Sequence, residues 1–267
     1  MLKQRVITAL VLAAIVLCAL FIPNPLLWRA LITLVVLLAF YEWLRFCQIE
    51  ALPIKALAYG VFGAAVYFTQ SGWLALDWVI PVVCVLWLVL LVFTMTDALN
   101  ILHIKWLKLL IGIVVLSSAS FIVIEIKNLA HGHLWIVCFL CAVVAADIGA
   151  YFAGRRFGRV KLAPSISPGK TVEGFFGGLV LVSVIYIPVL FYFFSADAAS
   201  MLLLTVLVTA VVSVGGDLFE SKLKRHVGLK DSSQILPGHG GILDRIDSIL
   251  AGVNFFALGL LVLGYLS

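Results

Sequence analysis

Charge is scarce in this chain. Only 12% of its 267 residues are Asp, Glu, Lys or Arg, whereas 64% are apolar. The mean hydropathy of +1.21 lies far outside the range of water-soluble domains. A helix that crosses about 30 Å of hydrocarbon needs roughly 20 mostly apolar residues. The composition therefore excludes a soluble enzyme and leaves no room for a separate soluble domain beside a set of membrane spans.

Cysteine and concentrated positive charge are also in short supply. The five cysteines lie in or beside apolar runs, which favours packed thiols over a disulfide framework. The formal net charge is only +5, and the cations occupy short connectors instead of one continuous stripe. This pattern argues against nucleic acid as a partner and favours a lipid bilayer and phosphate-bearing ligands.

Apolar runs predict an all-α integral membrane protein with about nine transmembrane helices. Residues 1–130 form a predicted N-terminal region of about five spans, and residues 131–267 form a predicted catalytic region with two cytoplasmic loops. The predicted helices cover residues 6–22, 26–46, 55–70, 73–95, 106–124, 133–154, 172–194, 199–220 and 248–266.

The distribution of Lys and Arg predicts the orientation of the chain. With nine crossings, sixteen of the eighteen cations fall on the side of the N-terminus, and only Arg29 and Lys127 fall on the other. Because cationic connectors stay in the cytoplasm, the N-terminus is predicted to be cytoplasmic and the C-terminus external. The two longest connectors, 155–171 and 221–247, then form a polar active site that faces the cytoplasm.

Three carboxylates lie near the cytoplasmic ends of their predicted helices: Asp147, Glu173 and Asp217. A carboxylate beside hydrocarbon is costly unless it is paired or binds a cation, so each is a candidate functional residue. An alternative is that Asp147 and Glu173 hold helices together by pairing with nearby cations. Those cations are Arg155, Arg156 and Lys170.

The eighth predicted helix contains Gly215 and Gly216, which weaken a helix by roughly 1 kcal/mol each. Either a functional requirement or close packing would explain why they are tolerated. If the helix continues beyond them, one of its faces carries carboxylates near the membrane and a cation further out. The residues on that face are Asp217, Glu220, Ser221 and Lys224.

The segment 221–247 interleaves cations, carboxylates and glycines. Its glycines allow backbone N–H groups to approach a phosphate closely. Its cations can neutralise a triphosphate, and its aspartates are available to a hard divalent cation. These residues are Gly238, Gly240, Gly241, Lys224, Arg225, Lys230, Arg245, Asp244 and Asp247. A combined phosphate and metal site explains this composition better than a purely topological loop.

The same segment resembles a known family. Its order S-x-L-K-R, four residues, K-D-x-S, two residues, L-P-x-H-G-G-I-x-D-R-I-D is similar to the signature of the phosphatidate cytidylyltransferases. The upstream stretches 147–158 and 165–174 are also similar to that family. The first 130 residues resemble it only in being several apolar spans.

The resemblance implies that CTP and phosphatidate react to CDP-diacylglycerol and pyrophosphate, with Mg²⁺ as one or two ions. It also implies a bacterial inner membrane, phospholipid biosynthesis and a homodimer. Because the lipid phosphate is itself the nucleophile, no Ser, Cys or His nucleophile is required. Metal and Lys/Arg neutralisation of two anions should supply most of the catalysis.

The candidate residues then take expected roles. The metal ligands are Asp147, Asp217 and Asp244. The catalytic residues are Lys224, Arg225, Asp244 and His239. The substrate-binding residues are Ser167, Lys170, Thr171, Ser221, Lys230, Gly240, Gly241 and Arg245. For His239, general acid/base work and a purely structural hydrogen bond are both open.

Two other functions are compatible with parts of the sequence. Charged residues and glycine-broken helices also mark ion-coupled secondary transporters. The carboxylates here cluster at the cytoplasmic edge and the halves show no repeat, which disfavours a carrier. A lipid or polyprenol kinase that uses CTP would keep the nucleotide, the metal and the lipid but would transfer a terminal phosphoryl group.

Overall fold

The computed structural model describes residues 2–96 and 104–266, and within these ranges the chain forms nine helices. Their number and order confirm the predicted all-α class. The helices are α1 (Leu2–Phe21), α2 (Pro25–Phe46), α3 (Leu52–Gln70), α4 (Leu76–Met95), α5 (Lys105–Asn128), α6 (Gly132–Phe157), α7 (Val172–Phe193), α8 (Ala196–His226) and α9 (Leu243–Val262).

The helices α2 to α9 are each long and apolar enough to cross a membrane, and α1 contains a shorter apolar stretch, Ile7–Phe21. Large apolar side chains point outward along these helices: Tyr192 is 82% exposed, Trp78 is 78% exposed and Phe193 is 72% exposed. Water would penalise such a surface, whereas lipid accepts it. The chain is therefore a multi-pass membrane protein.

A short hairpin joins α6 to α7, where only a loop was predicted. Its strands β1 (Lys161–Ala163) and β2 (Ser167–Thr171) pair antiparallel. The Thr171 hydroxyl then accepts a hydrogen bond from Gly174 N at 3.1 Å and caps α7. The Glu173 carboxylate accepts from Val160 N at 3.1 and 3.2 Å. Glu173 thus ties the hairpin to α7 through a backbone contact instead of the expected pairing with a cation.

The helix α8 ends later than predicted, and the helix α9 begins earlier than predicted. The structure extends α8 from the predicted residue 220 to His226 and starts α9 at Leu243 instead of residue 248. The connector between them shrinks to residues 227–242. The helix α8 continues through Gly215 and Gly216, as the shared-face prediction requires.

Close packing explains one glycine of this pair. A Cβ atom at Gly216 would lie 2.7 Å from both Asp247 O and Ala251 Cβ on α9. Neither atom is the flexible end of a side chain, so a larger residue would push the two helices apart. Gly216 therefore sets the close approach of α8 to α9, which determines where their polar side chains meet.

The first five helices share one core with α6 to α9. The helix α5 is the most buried of the candidate spans, since 67% of its most apolar stretch is buried inside the protein. The ring of Phe219 on α8 lies 5.7 Å from Trp87 on α4 and 6.4 Å from Trp43 on α2. The predicted boundary near residue 130 falls in the turn between α5 and α6, but packing continues across it.

Several contacts define the two ends of the helical bundle. The Thr8 hydroxyl donates to Pro237 O at 3.2 Å, so the start of α1 lies beside the connector 227–242. At the other end, the Lys127 ammonium donates to Leu20 O. The beginning of the chain and the 227–242 connector therefore share one face of the bundle, and Lys127 lies at the opposite face.

Candidate active site

The first part of the candidate site is an ion pair between β2 and α8. Lys170 Nζ lies 2.6 Å from Asp217 Oδ2, and the two side chains are 25% and 29% exposed. The same ammonium donates to Val214 O at 3.4 Å, and Ser221 Oγ donates to Asp217 Oδ1 at 3.2 Å. The hairpin thus delivers Lys170 to the end of α8, where both partners remain reachable from outside.

A small cavity of about 210 Å³ lies beside this pair and is lined by Asp147, Lys170 and Thr171 among others. Small-molecule pockets usually measure about 300–1,000 Å³, so this space can hold a phosphate group or a hydrated ion but not a whole nucleotide. Asp147 is exposed and lies within electrostatic range of both Lys170 and Asp217. A nucleotide would therefore place only part of itself here.

The second part of the site is a buried triad between α8 and α9. Lys224 Nζ lies 2.6 Å from Asp244 Oδ1 and 3.3 Å from Glu220 Oε1. The longer contact is an ion pair without hydrogen-bond geometry, and the Glu220 oxygens have no hydrogen-bond partner within residues 2–96 and 104–266. Asp247 interacts electrostatically with both Glu220 and Asp217, so it connects the two parts of the site.

The joined cluster contains more carboxyl groups than ammonium groups. Its five carboxylates face two ammonium groups, which leaves three negative charges uncompensated when every carboxylate is ionised. Buried charge of one sign is unfavourable, so the cluster is expected to attract cations. Its members are Asp147, Lys170, Asp217, Glu220, Lys224, Asp244 and Asp247, and we call them the acidic cluster.

The donor atoms of the acidic cluster fit Mg²⁺. All are carboxylate oxygens, the ligand type that this ion prefers. Among the residues that the structure describes, no three His, Cys, Asp or Glu side chains converge closely enough to hold a metal by themselves. Mg²⁺ normally keeps several waters and binds one or two carboxylates together with substrate phosphates. The residues therefore suit an ion that arrives with a nucleotide.

Both carboxylate oxygens of Asp244 have partners. Its Oδ2 accepts hydrogen bonds from Ser232 N at 2.9 Å, Ser232 Oγ at 2.9 Å and Gly241 N at 2.8 Å, while its Oδ1 faces Lys224. The N–H of Gly241 thus serves a carboxylate of the protein, although the sequence suggested that it contacts a phosphate. A Cβ atom at Gly241 would lie 1.9 Å from Ser232 Oγ, so only glycine fits there.

One residue of the site region comes from outside the predicted catalytic half. Glu42 on α2 is fully buried, and its carboxylate accepts hydrogen bonds from residues 232, 233, 242 and 243. Arg45, one turn further along α2, donates to Ser232 O. The signal for Glu42 was present, because it is a carboxylate inside the predicted span 26–46. Like Asp147 and Asp217, it is energetically unfavourable beside hydrocarbon unless it is paired or hydrogen-bonded.

The other predicted site residues lie around the acidic cluster with fewer contacts. Arg225 is exposed and donates to Leu229 O at 3.2 Å, and Lys230 and Arg245 are exposed as well. Ser167 is half-buried at the start of β2. His239 lies in a tight turn, and its Nδ1 is buried without a hydrogen-bond partner in the described part of the chain. Gly240 in that turn has φ +83°, a value that favours glycine.

The fold and the site define a polytopic membrane protein with an acidic, lysine-bridged site where its helices end. The model of the cytidylyltransferase family matches residues 3–263. The phosphatidate cytidylyltransferase of Pseudomonas aeruginosa is 37% identical over 99% of both chains, and that of Haemophilus influenzae is 35% identical over 96% of this chain and 98% of the relative. The Bacillus subtilis enzyme of the same name is 35% identical over 95% of each chain.

The chain therefore belongs to the cytidylyltransferase family, and it is an enzyme of the nucleotidyltransferase class. The match spans nearly the whole chain, including the first 130 residues, which had seemed similar to the family only in being apolar.

Proposed function

We propose that the chain is a phosphatidate cytidylyltransferase, which converts CTP and phosphatidate to CDP-diacylglycerol and pyrophosphate. The relatives that match over nearly their full length carry that name. The observation that carries the proposal is the acidic cluster, which combines oxygen ligands for a divalent ion with two lysines at the ends of membrane helices. A carrier and a CTP-dependent lipid kinase are not favoured by these relatives.

The proposed reaction needs charge neutralisation more than acid/base chemistry. A phosphate oxygen of phosphatidate attacks the α-phosphorus of CTP, the bond from the α-phosphorus to the bridging oxygen breaks, and pyrophosphate leaves with the electron pair. No hydroxyl has to lose a proton in this step. His239 is therefore not needed as a general base. Its buried Nδ1 has no hydrogen-bond partner in the described part of the chain, so the structural alternative gains no support either.

Mg²⁺, when bound, supplies positive charge that lets two anions approach each other. Asp147 and Asp217 would hold it, with Asp244 as the third candidate ligand. Asp217 is the best placed, because its carboxylate is 29% exposed and its direct partners among the described residues are just Lys170 and Ser221. Asp244 already accepts hydrogen bonds from four donor atoms.

The lysines of the acidic cluster change partners in this proposal. Lys170 faces the 210 Å³ cavity, so a phosphate there can take the ammonium group from Asp217. Lys224 is 10% exposed and would neutralise the triphosphate from the other side of Asp244. Ser221 would contact the same phosphates. The exposed cations Arg225, Lys230 and Arg245 and the hydroxyls of Ser167 and Thr171 remain candidate outer contacts.

The lipid substrate would enter from the membrane along an apolar groove between α7 and α8. This groove of about 710 Å³ is lined by residues such as Phe176, Val184 and Val211. Phe176 directly follows Phe175, and Val211 lies one helical turn before Val214, and both Phe175 and Val214 line the polar cavity. Acyl chains in the groove would therefore place the phosphate of the lipid beside Lys170.

The enzyme is proposed to lie in a bacterial inner membrane with its N-terminus and its active site in the cytoplasm and its C-terminus outside. Support comes from the Lys/Arg distribution and from the contact that places the start of α1 beside the 227–242 connector. This orientation gives the site access to cytoplasmic CTP. A homodimer stays a prediction of the family resemblance.

Labelled CTP tests the proposed function. Purified protein in detergent would be given CTP, Mg²⁺ and phosphatidate, and the released phosphate products would be separated. Release of pyrophosphate that depends on phosphatidate, with the cytidylyl label in the lipid fraction, is the expected result. Release of CDP would indicate a kinase instead, and the absence of both products would return the carrier to consideration.

A further inference from the structure

Glu42 occupies an unusual position for a charged residue. It lies on the membrane-spanning helix α2, its side chain is 0% exposed, and no cation lies within ion-pair distance of it in the described part of the chain. A buried carboxylate of this kind is strongly unfavourable unless hydrogen bonds compensate it. Its compensation comes entirely from the family signature segment, about two hundred residues further along the chain.

Each oxygen of Glu42 accepts one hydroxyl and one backbone N–H. Oε1 accepts from Ser233 Oγ and from Ile242 N at 2.9 Å. Oε2 accepts from Leu243 N at 2.7 Å and lies 2.8 Å from Ser232 Oγ, whose single proton it shares with Asp244. The two backbone groups belong to the start of α9, where the positive end of the helix dipole also favours a negative charge. Glu42 is thus the cap of α9 and the anchor of the preceding connector.

The anchored residues are the ones that hold Asp244. Ser232 donates its N–H to Asp244 Oδ2, and its single hydroxyl proton is shared between that oxygen and Glu42 Oε2, while Asp244 Oδ1 faces Lys224. A continuous chain of contacts therefore runs from Glu42 through Ser232 and Asp244 to Lys224. Arg45 strengthens its first link by donating to Ser232 O. A shift of the connector would move Asp244 and, with it, the ammonium of Lys224.

We propose that Glu42 is a positioning residue for nucleotidyl transfer: it fixes the connector 227–242 and the start of α9 so that Asp244 and Lys224 are held in place for the triphosphate. The inference rests on the proposed function of the acidic cluster. It gives the N-terminal helices a direct part in the active site, because α2 supplies the anchor.

Substitution of Glu42 by Gln is a sharp test, because no orientation of the amide fits. Hydroxyl groups can turn to accept a hydrogen bond, but backbone N–H groups cannot. Either carboxylate oxygen that becomes NH₂ would face Ile242 N or Leu243 N, both of which are donors. The Gln variant therefore always leaves a buried backbone donor without an acceptor, while its volume stays nearly that of Glu.

The experiment compares Glu42→Gln with Glu50→Gln, the same change at an exposed residue beyond the end of α2. Full-length proteins purified by size exclusion would be assayed for kcat and for the KM of CTP. Hydrogen exchange would be measured on the same samples without substrates. Because displacements of about 1 Å can lower rates about 100-fold, we expect kcat of the Glu42 variant to fall by about 10- to 100-fold. The KM of CTP should change much less.

Amide hydrogen exchange distinguishes a local loosening of the connector from a general loss of stability. In Glu42→Gln the amides of residues 232–243 should exchange faster while those of α6 and α7 keep wild-type rates, and Glu50→Gln should match wild type throughout. Ser233→Ala removes only one of the four donors, so it should fold and show a smaller change in the same direction.

A Glu42→Gln protein with wild-type kcat per folded molecule, or with faster exchange spread evenly over the helices, would overturn the proposal. If Glu42→Gln fails to fold, Ser233→Ala decides, and wild-type kcat and exchange in that variant would also overturn it. The exchange measurement needs no substrate. It therefore stays interpretable even if the wild-type protein shows no cytidylyl transfer, which would refute the proposed function separately.

Discussion

Replacement of Lys224 by Met tests the buried half of the acidic cluster. Met is similar in length to Lys but removes the ammonium that contacts Asp244 at 2.6 Å and Glu220 at 3.3 Å. The side chains of Asp244 and Glu220 are only 7% and 3% exposed, so water cannot stabilise their carboxylates once the ammonium is removed. Asp244 keeps three donors on Oδ2, but Glu220 has no hydrogen-bond partner in the described part of the chain. The substitution therefore leaves the buried carboxyl group of Glu220 without its cationic partner.

The magnitude follows from the burial of the triad. Breaking a buried ion pair by removing one partner typically destabilises a protein by about 3–5 kcal/mol. For a chain of this size, about 2–4 °C of melting temperature accompanies each kcal/mol, so the melting temperature of Lys224→Met should fall by on the order of 10 °C. Adding Glu220→Gln removes the orphan charge and should restore about 1–3 kcal/mol of the loss.

The assay is thermal unfolding at one protein and detergent concentration, without nucleotide or Mg²⁺. Lys222→Met is the matched control, because the partners of Lys222 in residues 2–96 and 104–266 are neutral carbonyls, those of Phe93, Thr94 and Thr96. Its substitution should cost about 1.5–3 kcal/mol, less than that of Lys224, and activity should persist. A melting temperature of Lys224→Met equal to that of the control, or no recovery in the double variant, would refute the reasoning that Lys224 neutralises Glu220.

Three further outcomes are expected. Val184→Trp fills the groove between α7 and α8 and should raise the KM of phosphatidate by about tenfold, measured in mixed micelles, while the KM of CTP stays unchanged. Gly216→Ala should lower stability by about 1–3 kcal/mol in thermal unfolding and also lower kcat, because its Cβ atom would press on Asp247 O at 2.7 Å. A cysteine at the exposed position Gln234, in a chain without the five native cysteines, should react with an impermeant reagent only after the cytoplasmic side is opened.

Each of these outcomes has a clear contradiction. Equal effects of Val184→Trp on both substrates would remove the lipid route between α7 and α8. A Gly216→Ala protein with wild-type stability and kcat would show that the two helices do not need their close approach. Labelling of the Gln234→Cys protein in intact cells would reverse the orientation.

Hydropathy and charge were sufficient to predict the helices and their order. Each predicted span is a run of apolar residues, and the described residues form nine helices at the nine predicted places. The C-terminal end of α8 and the N-terminal end of α9 were not predicted as helix, because they carry polar and charged residues and low hydropathy is typical of loops. Helical spacing still gave the correct face, since Ser221 contacts Asp217 and Lys224 contacts Glu220 one turn apart.

The partners of the site residues could not be predicted from the sequence. The pair Lys170 and Asp217 depends on a hairpin that folds back against α8, and no periodicity reports such a contact. Glu42 was not predicted as a site residue, because its partners lie about two hundred residues further along the chain and no local sequence pattern links them to α2. The glycines of the connector were expected to approach phosphates, whereas Gly241 approaches two carboxylates of the protein.

The role of Asp217 as a metal ligand is tested most directly by pyrophosphate release as a function of Mg²⁺ concentration, in wild type and in Asp217→Asn. Asp217 is preferred over Asp244 because it has fewer direct partners in the described part of the chain, Lys170 and Ser221, whereas Asp244 has four donor atoms around it. We expect release from wild type to require both phosphatidate and the divalent ion. Release from a folded Asp217→Asn protein should fall by at least about 100-fold. Near-wild-type, Mg²⁺-dependent release by Asp217→Asn would contradict the account.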